Sequence, residues 1–189
     1  METKETALID CDFLMKISEV RKNPIEINNL IRRAFDGASI DVMIHELVKA
    51  NELMVNSCSD VVKYIFSCNT ISTLLIKDIL LDDNKKKYYD YCIRQMFFQV
   101  HHRAFPSDNI FTWYSQSSLG EMHSIAACLV GDFSIFLSDD SDSSKIYRLI
   151  KENGAIDSVK IYNRKDFFDD ILPSGVLNSK ERHMFKHKS

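Results

Sequence analysis

Carboxylates recur in this chain where short apolar runs end or helices begin. Ala7-Leu-Ile-Asp10 is an apolar run closed by an acid, with Asp12 two positions on. Glu46 sits in Ile44-His-Glu-Leu-Val48, and Glu121 follows Ser118-Leu-Gly. Asp139, Asp140 and Asp142 follow the run Phe133-Ser-Ile-Phe-Leu-Ser138. Acids gathered in one place repel, and they cannot all stay ionised a few ångströms apart without a compensating cation. Hard divalent ions such as Mg²⁺ or Mn²⁺ prefer carboxylate and water oxygens. One or two such ions can activate a water and stabilise the leaving oxygen of a phosphodiester. Acids on several elements, with no His-rich ligand set beside them, point to metal-dependent phosphodiester hydrolysis.

The elements that would gather these acids alternate in type. Ala7 to Cys11 reads as a strand and Asp12 to Ser18 as the start of a helix. A second short strand is expected near Ile40. Asp41 is expected to cap a helix running to about Val55, with Met43, Leu47, Ala50 and Met54 on one stripe. Residues 57–104 read as mostly helical, including a helix from Tyr88 to Arg103, and residues 106–116 as a loop of turn formers. Ser118 opens a helix to about Val130. Phe133 to Ser138 is apolar enough for a strand buried on both faces. A helix from Ser144 to Glu152 ends at Asn153-Gly154, Val159 to Tyr162 alternates like a strand, and Lys165 to Leu172 is helical up to Pro173. From Lys180 the chain reads as a polar, basic tail. Such alternation implies a parallel sheet covered by helices, whose ligands bind beyond the carboxyl ends of the strands. Asp10, Asp139 and Asp140 fall there.

Four pieces, read in order, resemble the PIN-domain family of nucleases: Leu8-Ile-Asp10-Cys-Asp-Phe-Leu14, Ile44-His-Glu46-Leu-Val48, Leu119-Gly-Glu121-Met-His-Ser-Ile-Ala-Ala127 and Phe136-Leu-Ser-Asp-Asp140. Val159 to Phe167 resembles the family's closing strand and short helix. The resemblance covers about half of the chain. It implies an α/β fold, a three-layer α/β/α sandwich with a central, mostly parallel sheet. One domain would span residues 1–178, with 57–117 as a helical insertion and 179–189 as a tail. It implies Mg²⁺- or Mn²⁺-dependent cleavage of RNA, with Asp10, Glu46, Glu121 and Asp140 catalytic and holding the metal. Asp139 and Asp142 would be further ligands, and Asp12, Ser138, Lys145 and Arg103 would face substrate. Many relatives are toxins restrained by a small antitoxin, so such a partner is implied too. The chain departs from the family pattern at Cys11, where Ser or Thr is commoner, and at Asp12, where Asn or Ser is. The stretch between Glu46 and Glu121 is long for a compact member and could be an insertion, a dimer surface or a lid.

Blander readings stand beside these. Asp10 could simply cap the next helix, and Glu46 could lie on a solvated face. Glu121 completes an S-x-x-E capping box with Ser118. Asp142 or Ser143 could be an N-cap. His101-His102-Arg103 could be the exposed end of a helix, and His123 faces away from Glu121. The same fold could also serve as a catalytically silent module that binds RNA or protein.

Composition bounds the rest. The chain has 189 residues, 45% apolar and 27% charged, which excludes a disordered chain. Five Gly and three Pro argue against an all-β protein with many tight turns. A net charge of −3 excludes a histone-like coat but leaves room for local basic patches, such as Lys85 to Lys87 and the tail. No apolar run approaches the ~20 residues of a membrane span. The charged N-terminus lacks an apolar signal region. Five cysteines, an odd number with no CxxC pair, fit free thiols in the cytoplasm rather than disulfides or structural zinc.

Overall fold

Successive side chains of each central strand fall on opposite faces of the sheet, and here both faces are buried. In β1 (Glu5–Ile9), Ala7 and Ile9 join one core and Leu8 the other. In β2 (Ile40–His45), Ile40, Val42 and Ile44 go with Ala7, while Met43 packs with Leu8. In β4 (Ile135–Leu137), Ile135 and Leu137 split from Phe136 in the same way. A strand apolar on both sides is what a parallel sheet covered by helices requires. With β3 (Ser72–Leu74) and β5 (Lys160–Tyr162), these strands form a five-stranded sheet in the order β3-β2-β1-β4-β5, and every neighbouring pair is parallel. The computed structural model describes residues 4–53, 59–104, 106, 107, 109, 119–131, 133–152 and 159–187.

Helices cover both faces, so the chain is an α/β protein with the layering of a three-layer α/β/α sandwich. One face carries α1 (Cys11–Ser18), α2 (Pro24–Gly37) and α4 (Asp60–Ser67), whose Phe13, Ile31 and Ile65 pack on Ile9 and Ile44. The other carries α6 (Asp83–Met96), α8 (Leu119–Gly131) and α9 (Ser141–Glu152), whose Met96, Ile125 and Ile146 pack on Leu8 and Phe136. Side chains cap the starts: Asn23 accepts from Ile25 N and Glu26 N with Pro24 following it, Ser59 accepts from Val62 N, and Asp82 from Lys85 N. Among the described residues, no helix is long and apolar enough to cross a membrane, and Cys11, Cys68, Cys92 and Cys128 are free thiols.

Several expectations change. The helix expected from Asp41 starts only at Glu46, as α3 (Glu46–Val48) and a π-helical turn, Lys49–Leu53. Ile40, Val42 and Ile44 alternate inward as β-branched residues on a strand, and tertiary pairing with β1 outweighs the capping signal of Asp41. Asp41 is instead ion-paired with Lys4 at 3.2 Å. The segment 57–117, where it is described, is built into all three layers. It supplies α4 to one helical layer, the edge strand β3 to the sheet, and to the other helical layer α5 (Ile76–Ile79) and α6, which continues as a π-helical turn, Phe97–His101, and α7 (His102–Ala104). Most of the expected loop 106–116, the Asn153-Gly154 stop and the Ser118 side of the capping box lie outside the described residues. The expected tail is also part of the fold. After α10 (Arg164–Asp166) and the π-helical turn Phe167–Ile171, α11 (Ser179–His187) seats Phe185 in the core, stacked on Phe168 with centroids 4.8 Å apart.

Candidate functional site

Strand order reverses direction between β1 and β4, and in open α/β sheets ligands bind at such a switch point. Asp10 follows β1 directly, and its backbone N donates to Leu137 O at 2.8 Å. Ser138, Asp139 and Asp140 follow β4. The sheet therefore brings together two acidic segments that lie far apart in sequence.

Asp10 is 4% exposed. It occupies the N-cap position of α1 without a well-formed capping bond, and the N–H groups of the first helical turn face its carboxylate. Its Oδ1 is buried with no hydrogen-bond partner. Burial pushes its carboxyl up to about 6, and the negative charges of Asp12 and Asp140 add to this. The backbone N–H groups of Cys11 and Asp12 pull the other way, that of Cys11 more strongly than either neighbouring charge pushes.

A second carboxylate, Glu52, shares this field. Burial and then the charge of Asp10 push it up to about 7, against hydrogen bonds from Gly120 N–H and the Cys11 thiol. Gly120 makes room for it. A Cβ there would collide with Glu52 Oε1 and come within 2.7 Å of Val48 Cγ2. Glu52 was missed from sequence because the expected helix began too early. Once the helix starts at Glu46, Glu52 lies four residues after fully buried Val48, on the inward stripe. A Glu at that spacing was the available signal. Cys11, at the position where the resembled family favours a hydroxyl, serves as a thiol donor to this Glu.

Glu121, 6% exposed at the start of α8, is linked to Asp10 through two buried serines. Ser143 Oγ donates to Glu121 Oε1 at 2.5 Å, Ser138 and Ser143 hydroxyls lie 3.0 Å apart, and Ser138 Oγ is 3.4 Å from Asp10 Oδ2. The Ser143 hydrogen goes to Glu121. The Ser138 hydrogen then serves either Ser143 or Asp10, but not both. With both carboxyls ionised one of these three contacts is a hydrogen short, and protonation of Asp10 supplies the missing hydrogen. Asp140 is exposed, and its N–H donates to Ser138 Oγ at 3.2 Å.

The remaining expected residues are placed elsewhere or bound up. Glu46 turns to α5, where its Oε1 accepts from Ile76 N at 2.9 Å, the work of a helix cap. Asp139 is neutralised. Its Oδ1 accepts from Arg164 N at 2.8 Å, its Oδ2 from Arg164 Nε, and Lys16 stands 3.4 Å away. Lys16 also pairs with exposed Asp12 at 2.7 Å. Lys145 is exposed on α9 and Arg103 on α7. The Asp142 side chain lies outside what is described. His101, expected at an exposed helix end, is buried against Phe97 with centroids 5.5 Å apart, because the π-helical turn rotates it inward.

A separate polar chain lies between β2, α6 and α8. His45 Nδ1 accepts from Leu47 N at 3.1 Å, which leaves its hydrogen on Nε2, facing Tyr89 Oη at 3.4 Å. Tyr89 Oη then donates to His123 Nδ1 at 2.6 Å. Burial lowers His45 to about 3 and His123 to about 4, so both rings are neutral at ordinary pH. His123 does face away from Glu121's partners, as its two-residue offset implied.

Among the described residues, no three His, Cys, Asp or Glu side chains stand close enough to hold a metal ion on their own. Mg²⁺, however, commonly binds through one or two carboxylates and keeps several waters. The orphaned oxygen of Asp10, the notch at Gly120 that admits Glu52, and the raised titration of both acids fit a site that a small hard cation would relieve. No family model, curated protein or solved structure matches this chain, so the reading of the site rests on its own geometry.

Proposed function

We propose that this protein is a metal-dependent phosphodiester hydrolase acting on RNA, with Asp10 and Glu52 as the acids that hold Mg²⁺ or Mn²⁺. The observation that carries the reading is Asp10: a buried carboxylate at the switch point of a parallel sheet, with one oxygen unpartnered and acids on several sides. A bound divalent ion supplies charge to offset these acids and Lewis acidity toward a phosphodiester and a water. The chain's own residues do the rest. Cys11 and Gly120 hold Glu52 by hydrogen bonds. Ser138 and Ser143 carry Asp10 and Glu121 on one hydroxyl relay. Exposed Asp140 lies at the mouth of the site, and Asp12 beside it is paired with Lys16. Relative to the resemblance, Glu52 takes the part expected of Glu46. Asp139 becomes a positioning residue that anchors α10 and keeps the Ser138–Asp140 turn in place.

The test is cleavage of a single-stranded RNA with Mn²⁺, Mg²⁺ or chelator, by wild type and by Asp10→Asn. Cleavage that needs the metal and falls at least a hundredfold in the variant is expected. Equal cleavage by both proteins, or cleavage indifferent to chelator, would overturn the assignment. Metal binding without cleavage would favour the silent binding module. The resemblance to PIN-domain nucleases supports RNA as the substrate and an antitoxin-like protein as a partner.

A further inference from the structure

The exposed large apolar residues are not scattered. Of the five described, Leu81, Tyr88, Tyr91 and Phe98 fall at or within the α6 segment. At 100° per residue, Lys87, Tyr88, Tyr91, Arg94, Gln95 and Phe98 lie within about 120° of one another on the helix. The opposite side buries Tyr89, Cys92, Ile93 and Met96. Fractional exposures of 38%, 46% and 52% for Tyr88, Tyr91 and Phe98 are high for rings on an otherwise well-packed helix. Phe98 is braced edge-on by Phe97 and His102, with centroids 5.2 and 5.8 Å away. The stripe carries the cations Lys87 and Arg94, and α7 adds exposed Arg103. Exposed Asp90 borders it, three residues after Lys87 and four before Arg94, and Asp83 on the same edge is paired with Lys86 at 3.2 Å.

From this juxtaposition of exposed rings and cations on one helix face we infer that α6 is a docking surface for single-stranded nucleic acid. Bases stack on exposed aromatic rings without regard to sequence, and interleaved cations track the backbone. Charge argues against the other obvious occupant. From Asp82 to Met96 the helix carries Lys85, Lys86, Lys87 and Arg94 against Asp82, Asp83 and Asp90, and α7 adds Arg103, so two copies paired two-fold through this face would oppose like net charge. Duplexes hide the base faces, so single strands are selected. The helix also packs on α8 and α9, which bring Glu121 and Ser143 to the candidate site, so a strand held here lies in the layer that builds that site. The inference deepens the nucleic-acid reading proposed above and rests on it for its substrate class.

The experiment is fluorescence anisotropy of a labelled single-stranded RNA oligonucleotide in chelator, so that nothing is cleaved. It compares wild type, Tyr91→Ala with Phe98→Ala, and Lys87→Ala with Arg94→Ala. Removing the two rings is expected to weaken binding roughly a hundredfold, about tenfold for each. Removing the two cations is expected to lower the slope of log affinity against log salt by about 1.4. These positions are exposed, so unchanged thermal unfolding confirms that the variants fold. Hydrolysis of a small phosphodiester, bis(p-nitrophenyl) phosphate, reads the chemistry separately and is expected to be unaffected by the stripe variants. RNA affinity indifferent to both pairs of substitutions overturns the docking surface while leaving the hydrolase reading intact. Stripe-dependent RNA binding without any hydrolysis does the reverse. Equal affinity for a duplex, or dissociation of a dimer as the main effect of the ring substitutions, also overturns it.

Discussion

Asp10→Asn should change how stability responds to pH more than it changes stability at any one pH. Asp10 titrates near 6 in the fold against an ordinary value of 3.8. Below 3.8 the carboxyl is protonated whether the chain is folded or not, and it costs nothing. Between 3.8 and 6 the unfolded chain releases the proton first, so stability falls as pH rises. Above 6 the loss is complete, at about 3 kcal/mol from this one buried group. Asparagine has no such transition. It does place an amide where Oδ1 has no partner, which costs about 1–3 kcal/mol at every pH. The sign of the difference at neutral pH therefore depends on two opposed terms, while its pH dependence does not. Between about pH 4 and pH 8 the variant should gain 2–3 kcal/mol on wild type, roughly 5–10 °C in Tm for a chain of this size. The buried histidines titrate in both proteins and cancel in the comparison, while Glu52, relieved of the Asp10 charge, shifts the variant in the same direction. Urea unfolding of both proteins across this range measures it. Stability curves that run parallel would show that Asp10 is not raised, and the electrostatic account of the site would fail.

Other outcomes follow from the same geometry. Gly120→Ala should displace the Glu52 carboxylate and lower Mn²⁺ affinity by about tenfold or more, since a Cβ there collides with Oε1, while helix propensity improves by up to about 1 kcal/mol; calorimetry and unfolding read the two effects apart. Asp139→Ala should cost about 3–5 kcal/mol in urea unfolding by stranding the buried Arg164 guanidinium, with Mn²⁺ affinity per folded molecule preserved. His45 and His123, lowered to about 3 and 4 from 6.5, contribute stability that is present above 6.5 and is lost as pH falls toward those values, because the unfolded chain takes up protons first. His123→Gln removes one of these transitions, and its unfolding curves should lose less stability between about pH 6 and pH 4 than wild type does.

The strands were the most legible part of the chain because both of their faces are buried. Ala7-Leu-Ile and Ile135-Phe-Leu are apolar at every position, and such runs have few homes other than the middle of a parallel sheet. Asp10 was legible for the same reason, as the acid that ends such a run. Edges were harder. Ser72-Thr-Leu is a three-residue strand set by pairing with β2, with no local pattern to announce it. Asp41 carried a capping signal that lost to the alternation of Ile40, Val42 and Ile44, and the helical stripe of Met43, Leu47, Ala50 and Met54 expected from it left Glu52 unnoticed. The π-helical turn Lys49–Leu53 adds to the difficulty, because its wider turn breaks the 3.6-residue period used to assign faces. Asp139 looked like a ligand and is a counter-ion for Arg164, a pairing across 25 positions that only the tertiary structure supplies. The basic tail looked solvated by composition, yet one Phe among its charges, Phe185, is enough to dock it.

The most direct test of the central claim is Mn²⁺ titration calorimetry on wild type, Asp10→Asn, Glu52→Gln and Glu46→Gln. The account predicts saturable binding to wild type, its loss in the Asp10 and Glu52 variants, and its retention in Glu46→Gln, where the amide oxygen can still accept from Ile76 N. Binding that survives Glu52→Gln but disappears with Glu46→Gln, or no binding to wild type at all, would contradict it.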